Sequence, residues 1–378
     1  MVPIQIGRNL EVSGSCKSMI GVSESSSSLI PDTSTITLLF IKKRLIFILF
    51  ISVYSVNANE VVNVYTSRHY ESDKDLYKEF EDKTGIKVNY ISGKGKALFE
   101  RIKSEGKNSP ADVFITVDAS NLWKVESEGY FQKIKSKKIR KSLDKRFIGP
   151  NSKWVGLAKR YRVIVHNQNV KAEELEGINY EDLSSEKWKQ RIVIRSSSNI
   201  YNQSLIASMI HHNGLSYMKK WLPQFKGNFA RKPQGNDRAQ VMAVANGEGD
   251  IAIVNSYYLG IMLSGSSGKK QLNAAKKVKV VFPNQWNRGV HVNISGAGIL
   301  KHSKNYDNAV KFIEFLLEEK VQKHIVNNTY EYPIIDGVDP HPLIKELGTN
   351  IVEDRIKVKK LGKLNKTAVK LMDISGWR

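Results

Sequence analysis

From residue 61 onward the chain alternates short apolar runs with capped amphipathic stretches, and no other feature narrows its fold as much. Val61–Thr66 (VVNVYT) reads as a strand. Ser72-Asp73 caps a helix over 74–83 that stops at Gly85. A second strand covers 86–91, and Gly93-Lys94-Gly95-Lys96 opens a helix over 97–104. That Gly/Lys turn fits neither a P-loop nor a dinucleotide fingerprint, so it is read as a turn. A third strand covers 111–117 (ADVFITV), followed by a helix around Asn121-Leu122-Trp123. This alternation predicts an α/β layer with a mostly parallel sheet. Ligands of such sheets gather beyond the carboxyl ends of the strands, where Tyr70 stands.

The rest of the chain keeps the pattern. Residues 154–165 (WVGLAKRYRVIV) form a long extended run in which Arg160 and Arg162 point to the same side. A short helix and a strand fall within 183–195. Asn199-Ile200-Tyr201-Asn202 leads into a helix over 203–212, with further helices at 215–225 and 237–245. Ile251 to Val254 is a buried strand ending at two consecutive tyrosines, Tyr257 and Tyr258. Two neighbouring phenols meet one ligand only if the chain turns at Asn255-Ser256 into a helix, with Ser256 as its N-cap. Strands follow at 278–282 and 288–300, then helices at 308–317 and 320–326. The Lys-rich stretch 355–370 reads as a solvated helical face.

The N-terminus has the form of an export signal. Lys42-Lys43-Arg44 precedes an apolar run at 45–53 and a small-residue cleavage site, Val56-Asn57-Ala58. Residues 39–58 are read as a signal peptide cleaved near Ala58, and residues 1–38 as a non-native or disordered extension. Cys16 is the only cysteine, which excludes an intramolecular disulfide and a multi-cysteine metal site. The formal net charge of +22 is compatible with nucleic acid, an anionic surface or an anionic ligand. An exported protein meets little nucleic acid, so a basic surface without a nucleic-acid partner is the expectation. The roughly 320 residues after the signal suit two lobes.

Three separate places put tyrosine just after a strand: Tyr70, Tyr201 and the pair Tyr257-Tyr258. Taken singly, such tyrosines are ordinary amphipathic rim residues. Taken together, four phenolates form a hard anionic oxygen set that suits a hard trivalent cation and suits zinc or copper(I) poorly. Around Fe(III) the cluster carries one net negative charge, and around Fe(II) two. Burying it requires a cationic neighbour, for which Arg160 and Arg162 are the candidates. Competing chemistry is thin. His211-His212 diverge on a helix, Ser184-Ser185-Glu186-Lys187 lacks the rest of a hydrolase set, and no G-x-S-x-G elbow occurs.

The stretches VNVYTSRHYESDKDLYKEFEDKTGIKV, ADVFITVDASNLW, GLAKRYRVIVHN, GEGDIAIVNSYYLG and NRGVHVNISGAG carry a resemblance. Over nearly all of 61–340 the chain resembles the periplasmic ferric-iron-binding proteins of ABC uptake systems, above all the cyanobacterial type. The resemblance implies a two-lobed periplasmic binding protein fold (type II) with a ligand cleft between the lobes. Its hinge of two crossing strands would lie near 157–163 and 283–290. Lobe 1 would comprise 59–160 and 286–378, and lobe 2 residues 161–285.

The resemblance also implies a ligand set. Tyr70 comes from lobe 1, and Tyr201, Tyr257 and Tyr258 from lobe 2. His69 matches a position that ligates iron in some members and not in others. Arg160 matches an arginine that backs the ligands in an R-x-R segment, with Arg162 the weaker match. Tyr161 stands where relatives often carry a small residue. Members differ in using a synergistic anion such as carbonate, which four tyrosines make less necessary. The implied role is that of a monomeric, non-enzymatic periplasmic carrier. It would take Fe(III), with Fe(II) left open, to the membrane permease of an ABC transporter. The alternatives are a binding protein of the same fold for an organic anion or sugar, and an exported hydrolase.

Overall fold

Strands β1 (Val61–Thr66), β2 (Lys87–Ser92) and β3 (Val113–Val117) lie side by side in parallel, β1 in the middle. They belong to a computed structural model that describes residues 60–68, 70–348 and 350–378. The leader segment, Cys16 and His69 lie outside the described residues. Helix α1 (Ser72–Thr84) joins the first two strands and buries Leu76, Tyr77 and Phe80, residues that share one helical face. It ends at Gly85, where φ is 72°, the left-handed conformation that glycine adopts without strain. Its N-cap position is Glu71, and Asp73 turns inward. Helix α2 (Gly95–Glu105) leads on to β3, and α3 (Ala119–Ser127) is capped by the Asp118 side chain.

The centre of the sheet departs from the parallel expectation. Here β3 pairs antiparallel with β8 (Val292–Ile299), and β8 pairs antiparallel with β4 (Trp154–His166). The reason is topological: β4 and β8 are strands of opposite direction in the middle of the molecule, not products of βαβ crossovers. At Gly296 a Cβ would lie 2.4 Å from the Val155 carbonyl oxygen, so β8 can approach β4 there only with glycine.

Strand β4 changes partners along its length. Residues 154–161 pair with β8, and 162–166 pair with β6 (Ile251–Asn255). Beyond β6 lies β5 (Ile192–Val193) in parallel, while β7 (Lys279–Val281) pairs with the end of β4. One chain thus passes from the first half-sheet to the second through Tyr161 and Arg162. The return segment at 283–290 is not the extended strand expected. It is a run of turns with Asn284 at φ 61° and Gly289 at φ 89°, preceding β8. Its end is held by the C-terminal segment. The Val290 N–H donates to the Val352 carbonyl and the Asp354 N–H to the Val290 carbonyl, each at 2.9 Å.

Helix α4 (Ile200–Gly227) is broken at Gly214, where φ is 78°, so the two helices expected there are distinct. Helices α5 (Asp237–Ala245) and α6 (Ser256–Leu263) flank β6. Helices α7 (Tyr306–Leu316) and α8 (Glu319–Thr329) cover the first half-sheet, with Phe312 and Phe315 against Phe80. The short β9 (Tyr332–Pro333) pairs with β4. The Lys-rich tail forms α9 (Lys359–Ile374). It buries Leu361, Gly362, Ala368, Leu371 and Met372, and packs on both α3 and α4. The solvated face expected is thus one side of an amphipathic helix whose other side is buried, because its apolar residues recur at helical spacing between the lysines. No helix among the described residues is long and apolar enough to cross a membrane.

Gly289 tests the hinge packing. A Cβ there would lie 2.4 Å from the Glu353 carbonyl carbon, whereas a Cβ at Gly376 (φ 75°) meets nothing within 4 Å. Gly289→Ala is expected to cost about 2 kcal/mol or more in urea denaturation, and Gly376→Ala about 1 kcal/mol, the left-handed backbone penalty alone.

Candidate metal centre

Each tyrosine singled out in the sequence sits at the start of a helix. Asn199 caps α4 by accepting a hydrogen bond from the Tyr201 N–H at 3.1 Å. This places Tyr201 in the first turn. Strand β6 ends at Asn255, whose N–H donates to the buried Asp237 carboxylate at 2.8 Å, and α6 begins at Ser256. Tyr257 and Tyr258 therefore occupy its first turn. Ser256 is not the cap: its hydroxyl accepts instead from the Tyr161 N–H at 3.3 Å, tying α6 to β4. Tyr70 precedes α1 by one residue beyond the N-cap Glu71. The first turn of a helix carries partial positive charge from its unpaired N–H groups, a favourable setting for phenolates.

The phenols converge. The Tyr201 and Tyr257 hydroxyl oxygens are 3.4 Å apart, and the Tyr257 and Tyr258 rings lie 4.2 Å apart at 32°. Burial pushes the Tyr257 hydroxyl well above its ordinary range, and Tyr201, Tyr258 and Tyr70 add to that shift against the pull of Arg160. Burial, then the Glu331 carboxylate, does the same to Tyr70, opposed by Arg68 and Arg160. Tyr258 is pushed up to about 12, chiefly by burial. Such a group of neutral phenols gives up its protons only to something that replaces them with positive charge. Among the described residues, no group of three or more His, Cys, Asp or Glu side chains is placed to hold a metal ion.

Cations surround the cluster. The Arg160 guanidinium lies 5.3 Å from the Tyr201 ring centre, Arg195 lies 5.7 Å from the same ring, and Arg68 lies 4.9 Å from the Tyr70 ring. Arg160 is buried and donates to Glu331 and to the Ile294 carbonyl, both at 3.2 Å. The same Glu331 accepts from Arg68 at 3.0 Å, and Arg68 also pairs with Asp73 at 2.9 Å. Arg162 is engaged elsewhere. It donates to Asp237 and Asn202, each at 2.8 Å, and to Asn255 and the Ile253 carbonyl, so it fixes the helix starts that carry the tyrosines. The His212 ring is 3.0 Å from Asp354, a structural contact remote from the phenols.

Sequence reasoning gave no place at the site to Arg68, Glu331, Arg195 and Asp237, and read Asp73 only as a helix cap, whereas it pairs with Arg68. Arg68 adjoins the His69-Tyr70 pair and was within reach of inspection. Glu331 reaches Arg68 and Arg160 across more than 170 positions of chain (|i−j| of 263 and 171), and no local pattern announces it.

Residues 108–354 match the family described as bacterial extracellular solute-binding protein. The chain belongs to that family. Within it the chain groups with the cyanobacterial ferric-binding type. It is 46% identical to the iron uptake protein A1 of Synechocystis sp. over 84% of this chain and 87% of that one. Among solved structures it is similar to the Trichodesmium IdiA (FutA) protein in complex with iron and citrate. Identity there is 49%, the TM-score is 0.81, and 84% of this chain and 100% of that one are covered. The open conformation of the Mannheimia haemolytica ferric iron-binding protein A is 40% identical with a TM-score of 0.78, covering 84% of this chain and 99% of that one. This solute-binding protein accordingly has the two-lobed type II fold, with β4 as one crossing strand.

The raised Tyr258 pKa has a consequence for stability. The unfolded phenol ionises near pH ~10, while the folded one keeps its proton to about pH 12. The unfolded state is thus favoured by ionisation in between. The contribution of this group is fully present below about pH 10 and lost as pH rises to about 12. Tyr258→Phe in the metal-free protein should flatten the pH dependence of stability over that window, measured by denaturant unfolding.

Proposed function

We propose that this protein is a periplasmic carrier that captures Fe(III) between its lobes and hands it to the permease of an ABC transporter. The observation that carries the reading is the convergence of the Tyr201 and Tyr257 hydroxyls, 3.4 Å apart, with the Tyr258 ring tilted against that of Tyr257 at 4.2 Å and Tyr70 near enough to act electrostatically on this group. In this reading the four phenolates are the ligands, three from lobe 2 and one from lobe 1. His69 is given no part in it. Arg160 offsets the negative charge of the loaded site, and Arg162 braces the helices that present the phenols. A hard trivalent ion suits four hard anionic oxygens, and Fe(II), leaving one more negative charge, is the weaker cargo. Lobe 1 comprises 59–160 and 286–378 and lobe 2 residues 161–285, with α9 resting on both. The protein acts as a monomer by binding and release, without turnover. The similarity to an iron uptake protein and to a protein in complex with iron supports this reading.

Iron held by phenolates of both lobes favours the closed arrangement by its contacts with both. Small-angle scattering should show a smaller radius of gyration with ferric iron than without. Equal radii would reject closure.

Ferric titration followed by the tyrosinate charge-transfer absorbance tests the ligand set. Tyr→Phe keeps the ring and removes one donor oxygen. Tyr257→Phe and Tyr258→Phe should weaken iron and shift the band more than Tyr70→Phe. Arg160→Ala should weaken ferric binding by about 10- to 100-fold, the usual effect of losing a group that supports metal ligands. Protons compete with iron because each ligand must be ionised, so affinity should fall as the pH is lowered. Wild-type colour and affinity in both Tyr257→Phe and Tyr258→Phe would overturn the reading.

A further inference from the structure

A second concave site lies beside the return crossing, apart from the phenols. A cavity of about 610 Å³ opens where Asn287-Arg288, the segment 352–357 and α4 meet. Its charged lining is Arg288, Glu353, Asp354, Arg355, Lys357 and Lys360, with His211 and His212 at the α4 edge. Both carboxylates are already engaged. Glu353 accepts from Lys159 at 2.7 Å and from Arg146 at 3.0 Å. Asp354 accepts from Ser208 at 2.8 Å and from the Ile356 N–H at 2.9 Å, and it contacts the His212 ring at 3.0 Å. Two further carboxylates stand just outside the lining. Glu181 pairs with Arg288 at 2.9 Å, and Asp144 pairs with Arg146 at 2.8 Å while acting on Arg355 from further away. Among the described residues, the ion pairs of this region leave out Arg355, Lys357 and Lys360.

Local helix chemistry does not account for these three cations. Lys360 lies in the first turn of α9, which holds no acid, and the start of a helix is the end at which its dipole disfavours positive charge. The neighbouring imidazole feels the same field. His211 is held below its ordinary range by burial, then by His212 and Lys360. Another basic cavity shows the contrast. Lys276, Lys277 and Lys279 line a polar cavity of about 750 Å³, but Lys276 and Lys277 close the last turn of their own helix, Lys269–Lys277, where the dipole favours cations.

We propose that the cavity beside the return crossing binds a small oxyanion of two or more charges, held by Arg355, Lys357 and Lys360. Guanidinium and ammonium groups donate N–H to carboxylate or phosphate oxygens. Three like charges gathered in one concavity call for more than a single negative charge to offset them. The bound anion would tie α4 to the C-terminal segment on either side of the return crossing, and would stabilise the folded chain by mass action. None of the tyrosines or guanidiniums of the metal centre lines this cavity, so the proposal stands apart from the ferric reading.

The test uses metal-free full-length protein, with citrate as the carboxylate probe and inorganic pyrophosphate as the phosphate probe. Sodium nitrate of matched ionic strength is the monovalent control. Calorimetric titration and the shift in melting temperature report binding. The triple variant Arg355→Gln, Lys357→Gln, Lys360→Gln is set against Lys276→Gln, Lys277→Gln, Lys279→Gln, which removes the same amount of charge at the other cavity. Wild type should bind at least one probe and gain melting temperature from it, and nitrate should give no such gain. The first variant should bind about 10-fold or more weakly, as expected for losing three partly exposed charge contacts, and the second should bind as wild type does. Pyrophosphate alone would assign phosphate groups to the ligand and citrate alone carboxylates, and either supports the site.

Equal weakening in the two variants would show attraction by the basic surface as a whole and overturns the proposal. Binding of neither probe, or unchanged binding in the first variant, overturns it too. If the first variant does not melt cooperatively, Lys357→Gln takes its place, and wild-type binding there overturns the proposal. The ferric reading survives each of these failures, because no iron is present and the phenols are intact.

Discussion

The structure depends on pairing charge that has been taken out of water. Arg68, Arg160, Glu331 and Asp73 are all nearly inaccessible, and leaving any one of them unpaired would cost several kcal/mol. They come from the end of β1, the start of α1, the middle of β4 and the residue before β9. Their pairing therefore fixes where four distant parts of the chain must meet. The same holds across the molecule for Arg162, Arg195 and Asp237, which join β4, the segment after β5, and α5. Between these two knots lies the group of phenols. Each knot is anchored on β4, whose Arg160 and Arg162 stand two residues apart on one side of the strand. The Ser256 hydroxyl accepts from the Tyr161 N–H between them. The strand that links the lobes is thus also the one from which both sides of the site are electrostatically supported.

Helix termini do the rest of the positioning. Tyr201, Tyr257 and Tyr258 lie in the first turns of α4 and α6, and Tyr70 lies just ahead of α1. A helix start offers fixed dipoles and unpaired N–H groups. It also sets side-chain direction rigidly, because the cap and the strand before it leave little freedom. The capping of α4 by Asn199 and the Asp237 contact to Asn255 make those two starts well defined. The metal-free phenols are neutral and pack together, with the Tyr201 and Tyr257 hydroxyls 3.4 Å apart and the Tyr257 and Tyr258 rings in contact.

The C-terminal segment gives the two halves a shared backing. Val352 and Asp354 bond to Val290 in the return crossing, while Glu353 accepts from Lys159, Tyr161 and Arg146. Asp354 accepts from Ser208 and contacts His212 on α4. Helix α9 then lies across α3 and α4, with Gly362 against Trp123 and Asn365 bonded to Gln203. Tyr161 fits at the crossing because Glu353 accepts its hydroxyl hydrogen bond and Tyr332 packs against its ring. A lysine-rich stretch thus serves as packing on one face and as solvated surface on the other.

The sequence by itself determined the local structure and the residue types at the site. Apolar runs of strand length, a glycine at the end of α1, Asn199 before α4 and the Asn-Ser turn before Tyr257 are short-range signals. Short-range physics places strands, helix starts and tyrosines from them. The tyrosines were legible because an unusual pair followed a strand, and Arg160 and Arg162 because they alternate within an apolar run. Only the tertiary structure decided which charges meet. Glu331 serves Arg68 and Arg160, Asp237 serves Arg162 and Arg195, and Trp377 supports the Arg195 carbonyl, all through contacts between residues remote in sequence. The antiparallel centre of the sheet, the turns at 283–290 and the burial of α9 were hidden for the same reason. A periodic pattern shows that a face will be covered, and the folded chain alone shows by what.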